Sequence, residues 1–84
     1  MKRYLVLAMR KPAFDPTALG PHDAYLARLR AQGRLDMAGP FADRSGGAYL
    51  LWADSLEAAT AIAHADPLHA TGSSELVVHE WSAK

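Results

Sequence analysis

Two side chains far apart in the chain have the types needed for proton transfer. His22 sits in a segment rich in apolar residues at helical spacing, and Asp66 stands directly before Pro67. A carboxylate bonded to one imidazole nitrogen fixes the tautomer and ring orientation. The other nitrogen can then act as general base or acid. The same residues have structural uses, since a lone His on an apolar stripe commonly fills a core rim. Asp before Pro commonly caps backbone amides in a turn.

Other residues carry weaker signals. Arg10 can bind a carboxylate at a pocket mouth. Ser45 lacks a nucleophile elbow, although Ser45-Gly46-Gly47 can offer amides to an anion or form an ordinary turn. Gly39, Pro40 and Pro67 border the same end of the chain's expected topology and join Arg10 and Ser45 as candidate substrate contacts. A metal set of His22, His69 and Asp66 is conceivable, but its spacing matches no zinc pattern, and no metal is expected. His79 alternates with apolar residues and reads as structural. Asp36 falls at the opposite end from His22 and reads as a surface or interface salt bridge.

The elements that must position these groups follow from periodicity. Tyr4 to Met9 is a continuous apolar run, which suits a central strand covered on both faces. Lys11 to Gly20 is a proline-containing loop with a possible turn after Asp15-Pro16. Pro21 to Gln32 reads as a helix, with Pro21 at its first position, Asp23 at its positive end and Gly33 closing it. His22, Tyr25, Leu26 and Leu29 form its inward stripe, while Arg28 and Arg30 point elsewhere. Leu35 to Gly39 and Gly47 to Ala53 are strands joined by a polar connection. Asp54-Ser55-Leu56-Glu57 reads as a capping box opening a second helix from Ser55 to about Ala65, with Ala59, Ile62, Ala63 and Asp66 inward. Leu68 to Gly72 reads as a turn and Ser74 to Trp81 as the last strand.

The order is βαββαβ. Right-handed crossovers fold it into an α+β, ferredoxin-like domain over residues 1–84: a four-stranded antiparallel sheet with two helices on one face. Antiparallel alternation brings Arg10, His22, Gly39-Pro40, Ser45 and Asp66-Pro67 to one end. Two helices cover one sheet face, yet the first and third strands are apolar on both. At about 25 cal/mol per Å² of buried apolar surface, a second copy packed sheet to sheet is the expected cover.

Composition narrows the function classes. Half of the 84 residues are hydrophobic, which indicates a folded domain. Nine basic side chains balance nine acidic ones, so neither nucleic acid nor an anionic membrane is an expected partner. There is no cysteine, which excludes disulfides and thiolate chemistry and fits a cytoplasmic location. The apolar start is too short for a signal peptide and is interrupted by Arg10-Lys11-Pro12.

The chain resembles the YciI-like (YCII-related) family. The resemblance rests on the order of several pieces. They are Tyr4-Leu5-Val6-Leu7-Ala8, His22-Asp23-Ala24-Tyr25-Leu26, Gly33-Arg34-Leu35, and Ala38-Gly39-Pro40. The Gly-Gly strand entry, Asp54 to Ala59, Asp66-Pro67, Gly72 and Trp81 complete the set. The resemblance implies a dimeric α+β barrel with a site centred on His22 and Asp66, and no organic cofactor. It further implies a lyase or isomerase on a cyclic or aromatic substrate, like a related dehydrochlorinase or the muconolactone isomerases of neighbouring folds. A dimeric metabolite-binding module, or a component of a larger assembly, is the alternative. One departure stands out: Leu68-His69-Ala70-Thr71-Gly72 replaces the aromatic, small residue and glycine common after Asp-Pro in the family.

Overall fold

The computed structural model describes residues 1–84. Its elements are β1 (Lys2–Arg10), a single 3-10 turn (Pro16–Ala18), α1 (Leu19–Ala31), β2 (Leu35–Pro40) and β3 (Gly46–Ala53). They continue with α2 (Leu56–His64), the one-turn α3 (Pro67–Ala70) and β4 (Ser74–Glu80). The four strands form one antiparallel sheet in the order β2-β3-β1-β4, the ferredoxin-like arrangement expected from the element order.

Strand parity divides the apolar residues between two faces. Tyr4, Val6 and Ala8 of β1, with Tyr49 and Leu51 of β3, lie under the helices and are buried with Leu29, Leu35, Ala59, Ala63, Leu68 and Leu76. Ala59 and Ala63 of α2 are fully buried, because small side chains let the helix axis approach the sheet. On the opposite face, Leu5 pairs with Leu50, and Leu7 with Ala48 and Val77. Met9, Met37 and Val77 are exposed there.

Four local features differ from the sequence reading. Helix α1 begins at Leu19, before Pro21, because Asp15 caps the 3-10 turn and that turn runs directly into the helix. Pro21 still falls in the first turn, where its missing amide hydrogen has no intrahelical partner to lose. Asp23 consequently sits beyond the first turn, where the helix dipole is weaker. Helix α2 is capped by Ser55 rather than Asp54: the Ser55 hydroxyl accepts from the Ala58 amide at 3.1 Å. Leu68–Gly72 is not a plain turn, since Pro67–Ala70 forms a helical turn capped by Asp66. In β2, the register with β3 shifts between Leu35 and Met37, leaving Asp36 in a bulge.

The Gly46-Gly47 pair has a steric explanation. A Cβ on Gly46 would lie 2.1 Å from the Ala8 carbonyl oxygen, and one on Gly47 2.7 Å from that of Gly39. Close approach of three strands demands both glycines. No helix is long and apolar enough to cross a membrane.

Candidate functional site

Asp66 is the centre of the site, and its position follows from local backbone rules. The residue before proline avoids the helical region. Asp66 accordingly has φ −62° and ψ 131°, which ends the α2 segment and turns its carboxylate onto the start of α3. Oδ1 accepts from the Leu68 amide at 2.9 Å, and Oδ2 accepts from the Tyr49 hydroxyl at 2.9 Å. The Nδ1 atom of His22 lies 2.9 Å from both oxygens. The Asp66 side chain is fully buried. Burying an unpaired carboxylate costs several kcal/mol, so these donors are what makes the position tenable.

His22 comes from the first turn of α1 and keeps 13% of its side chain exposed. With Nδ1 committed to Asp66, no protein group engages Nε2. Tyr49 reaches the site from β3, its ring centroid 6.2 Å from that of His22. Burial pushes the Tyr49 hydroxyl far above the ordinary tyrosine range, with the Asp66 charge and hydrogen bond adding to the effect. Tyr49 is therefore a permanent donor to Asp66. Tyr25 donates to the Ile62 carbonyl at 2.7 Å and ties α1 to α2. Its hydroxyl is also raised, first by burial and then by Asp66.

His22 and Tyr49 face a cleft of about 960 Å³ between α1 and the adjoining ends of β2 and β3. Phe14, Leu19, Leu26, Phe41 and Leu68 give it apolar walls. Of the candidate contacts read from sequence, Arg10, Gly39 and Pro40 line it. Ser45 and Pro67 do not. The Ser45 hydroxyl and amide both donate to Asp43 Oδ1, at 2.6 and 2.9 Å, which draws that loop onto itself and lowers the Asp43 carboxyl below its usual range. Pro67 opens α3 behind the Asp66 cap. Asp66 itself is buried and does not line the cleft.

The remaining ionisable groups are elsewhere. Asp36 lies 3.8 Å from Arg3, a half-exposed ion pair whose partner the sequence does not specify. His69 stacks on His64 with centroids 4.1 Å apart, so the conceivable His22-His69-Asp66 metal set does not assemble. His79 pairs with Leu5 on the open sheet face.

Three cleft residues escaped the sequence reading. Strand alternation marks Tyr49 only as apolar bulk, although a core tyrosine needs a partner for its hydroxyl. Helical spacing turns Arg30 away from the inward stripe, yet it lines the cleft with Arg44. Its place one turn beyond Leu26 was the available signal.

The fold and geometry define a class: a ferredoxin-like α+β domain in which a buried carboxylate orients an imidazole at the edge of an apolar cleft. A family model described as the YCII-related domain matches residues 3–82, and the chain belongs to that family. A curated relative, the uncharacterized protein YjpA of Bacillus subtilis (strain 168), is 52% identical over 84 residues, covering 100% of this chain and 99% of the relative. Among solved structures, 5-chloro-2-hydroxyhydroquinone dehydrochlorinase (TftG) from Burkholderia phenoliruptrix AC1100, in complex with 2,5-dihydroxybenzoquinone, superimposes with a TM-score of 0.75. It covers 98% of this chain and 95% of its own, at 18% identity, which establishes a common fold.

Proposed function

We propose that this protein is a small cytoplasmic lyase or isomerase that moves a proton on a cyclic or aromatic substrate with His22 and Asp66. The observation that carries the reading is the commitment of His22 Nδ1 to a fully buried carboxylate, with Nε2 left unbonded beside a cleft. Nδ1–H donates to Asp66, so the Nε2 lone pair is the base. In a lyase reaction Nε2 takes the proton from carbon, the C–H pair becomes the new double bond, and the leaving group departs with its bonding pair. In an isomerase reaction Nε2 returns the proton to a different carbon. Asp66 stabilises the imidazolium in both. The fold shared with the dehydrochlorinase supports this choice of reaction class.

The working unit in this proposal is a homodimer closed through the open sheet face. Leu5, Leu7, Met9, Met37 and Val77 supply an apolar surface that the helices do not cover.

A second reading has its own support. Asp66 caps α3 and satisfies Tyr49 and Leu68 whether or not a proton is ever moved. That suits a non-catalytic dimeric module that binds a small metabolite. A thermal-shift screen of cyclic and aromatic metabolites, including 5-chloro-2-hydroxyhydroquinone, separates the two. An enzyme converts a stabilising hit, and His22→Ala binds it without conversion. Hits bound alike by wild type and variant, with no conversion by either, leave the binding module.

A further inference from the structure

We infer that the cleft selects an organic carboxylate borne on a flat apolar ring, with Arg10, Arg30 and Arg44 as the anion-recognising groups. The inference rests on the cleft being the ligand site and names the class of ligand.

Charge distribution is the first argument. The chain as a whole is neutral. The lining of the cleft, however, includes three arginines, all exposed to solvent, and a single acid, Asp23. None of the three has an ionic partner. The lysine and arginine ion pairs of the molecule, Lys2 with Glu80 and Arg3 with Asp36, involve none of the cleft cations. Two further acids, Asp15 and Asp43, stay charged in the flanking loops but do not line the cleft. One oxygen of Asp15 accepts from the amide and hydroxyl of Thr17, and one of Asp43 accepts from the amide and hydroxyl of Ser45. Cations of one sign around a low-dielectric concavity focus an attractive potential for anions.

Placement is the second argument. The arginines come from three separate segments: the end of β1, the last turn of α1 and the connection from β2 to β3. Arg10 is held with its guanidinium 4.1 Å from the Phe14 ring centroid, which reduces the freedom it must lose on binding. Arg44 occupies a left-handed turn position, φ 63°, where glycine would cost less. All three cations are arginines, whose planar forks match a carboxylate in two parallel hydrogen bonds.

The walls supply the rest of the selection. Phe14, Leu26, Phe41 and Leu68 offer apolar surface to a ring, while His22 and Tyr49 lie within the same cleft. A carboxylate anchored by the arginines holds such a ring near Nε2 of His22. The same cations offset the negative charge that grows on the ring as a proton leaves.

The test uses benzoate, benzamide and inorganic phosphate, titrated into the full chain at low salt and followed by amide chemical shifts. Benzoate is expected to move cleft resonances and to bind at least about tenfold more tightly than benzamide or phosphate. Its affinity falls as salt is raised. The triple variant Arg10→Gln/Arg30→Gln/Arg44→Gln brings benzoate down to the level of benzamide. Arg44→Gln, whose side chain makes no ion pair or hydrogen bond, tests the same point if the triple variant does not fold. Benzoate that causes no shifts, that binds no better than benzamide or phosphate, or that is indifferent to these variants overturns the inference. A wild-type cleft that binds benzoate selectively, with no turnover of any screened compound, removes the proton-transfer reading alone. Turnover of neutral compounds that is insensitive to the arginines removes the carboxylate inference alone.

Discussion

Nδ1 of His22 lies 2.9 Å from both carboxylate oxygens of Asp66, although 44 residues separate the two in the chain. The imidazole is half of the proposed reaction centre, and the carboxylate is at once its orienting partner and the cap of a helical turn. This double duty sets what each substitution should do.

His22→Ala should abolish turnover while the domain stays folded. Loss of a general acid or base typically costs on the order of 10²- to 10⁴-fold in rate. Asp66 loses one of three partners but keeps its bonds to Tyr49 and Leu68, so the fold persists with reduced stability. Rate measurements on a hit from the metabolite screen, beside a thermal melt, check both halves.

Asp66→Asn should separate orientation from folding. The amide oxygen can still accept from one of the original donors. The amide nitrogen must then donate, which favours the His22 tautomer with Nδ1 as acceptor and Nε2 protonated. Nitrogen chemical shifts of the imidazole should report that exchange, accompanied by loss of base catalysis. Asp66→Ala should instead cost about 2–4 kcal/mol, since it removes a helix cap and leaves the buried Tyr49 hydroxyl unpaired.

Tyr49→Phe removes one hydrogen bond with little change in volume. A loss of about 1 kcal/mol is expected, read as a fall of roughly 4–8 °C in the melting midpoint. An unchanged midpoint would mean that the Tyr49–Asp66 bond adds nothing to stability.

All three tyrosines of the chain, Tyr4, Tyr25 and Tyr49, have hydroxyls raised above 10.0, with burial the largest cause in each. The folded state therefore holds these protons more tightly than the unfolded state. Their contribution to stability is complete below pH 10 and declines as pH rises above it. Tyrosinate absorbance should consequently rise at higher pH in the folded protein than in the unfolded chain. Ionisation near 10 without loss of structure would show the hydroxyls to be solvated.

The open sheet face predicts a mass of two chains by light scattering at micromolar concentration. Leu7→Glu, placed between Ala48 and Val77 on that face, should give a monomer. A wild-type protein with the mass of one chain would remove the dimer from the proposal.

Local and periodic information in the sequence determined the sheet, both long helices and the shared end of His22 and Asp66. The reason is that apolar alternation, helical spacing and the pre-proline rule act over a few residues each. The choice between neighbouring caps, Ser55 rather than Asp54, and the helical turn headed by Asp66 are local, but they rest on backbone angles that residue type alone leaves open. Only tertiary structure decided that Tyr49 would be the third group on the carboxylate, that Ser45 would fold back on Asp43, and that Arg30 and Arg44 would face the cleft. A side chain's partner across the core is set by strand register and helix depth together, and neither is written in the spacing of the residues alone.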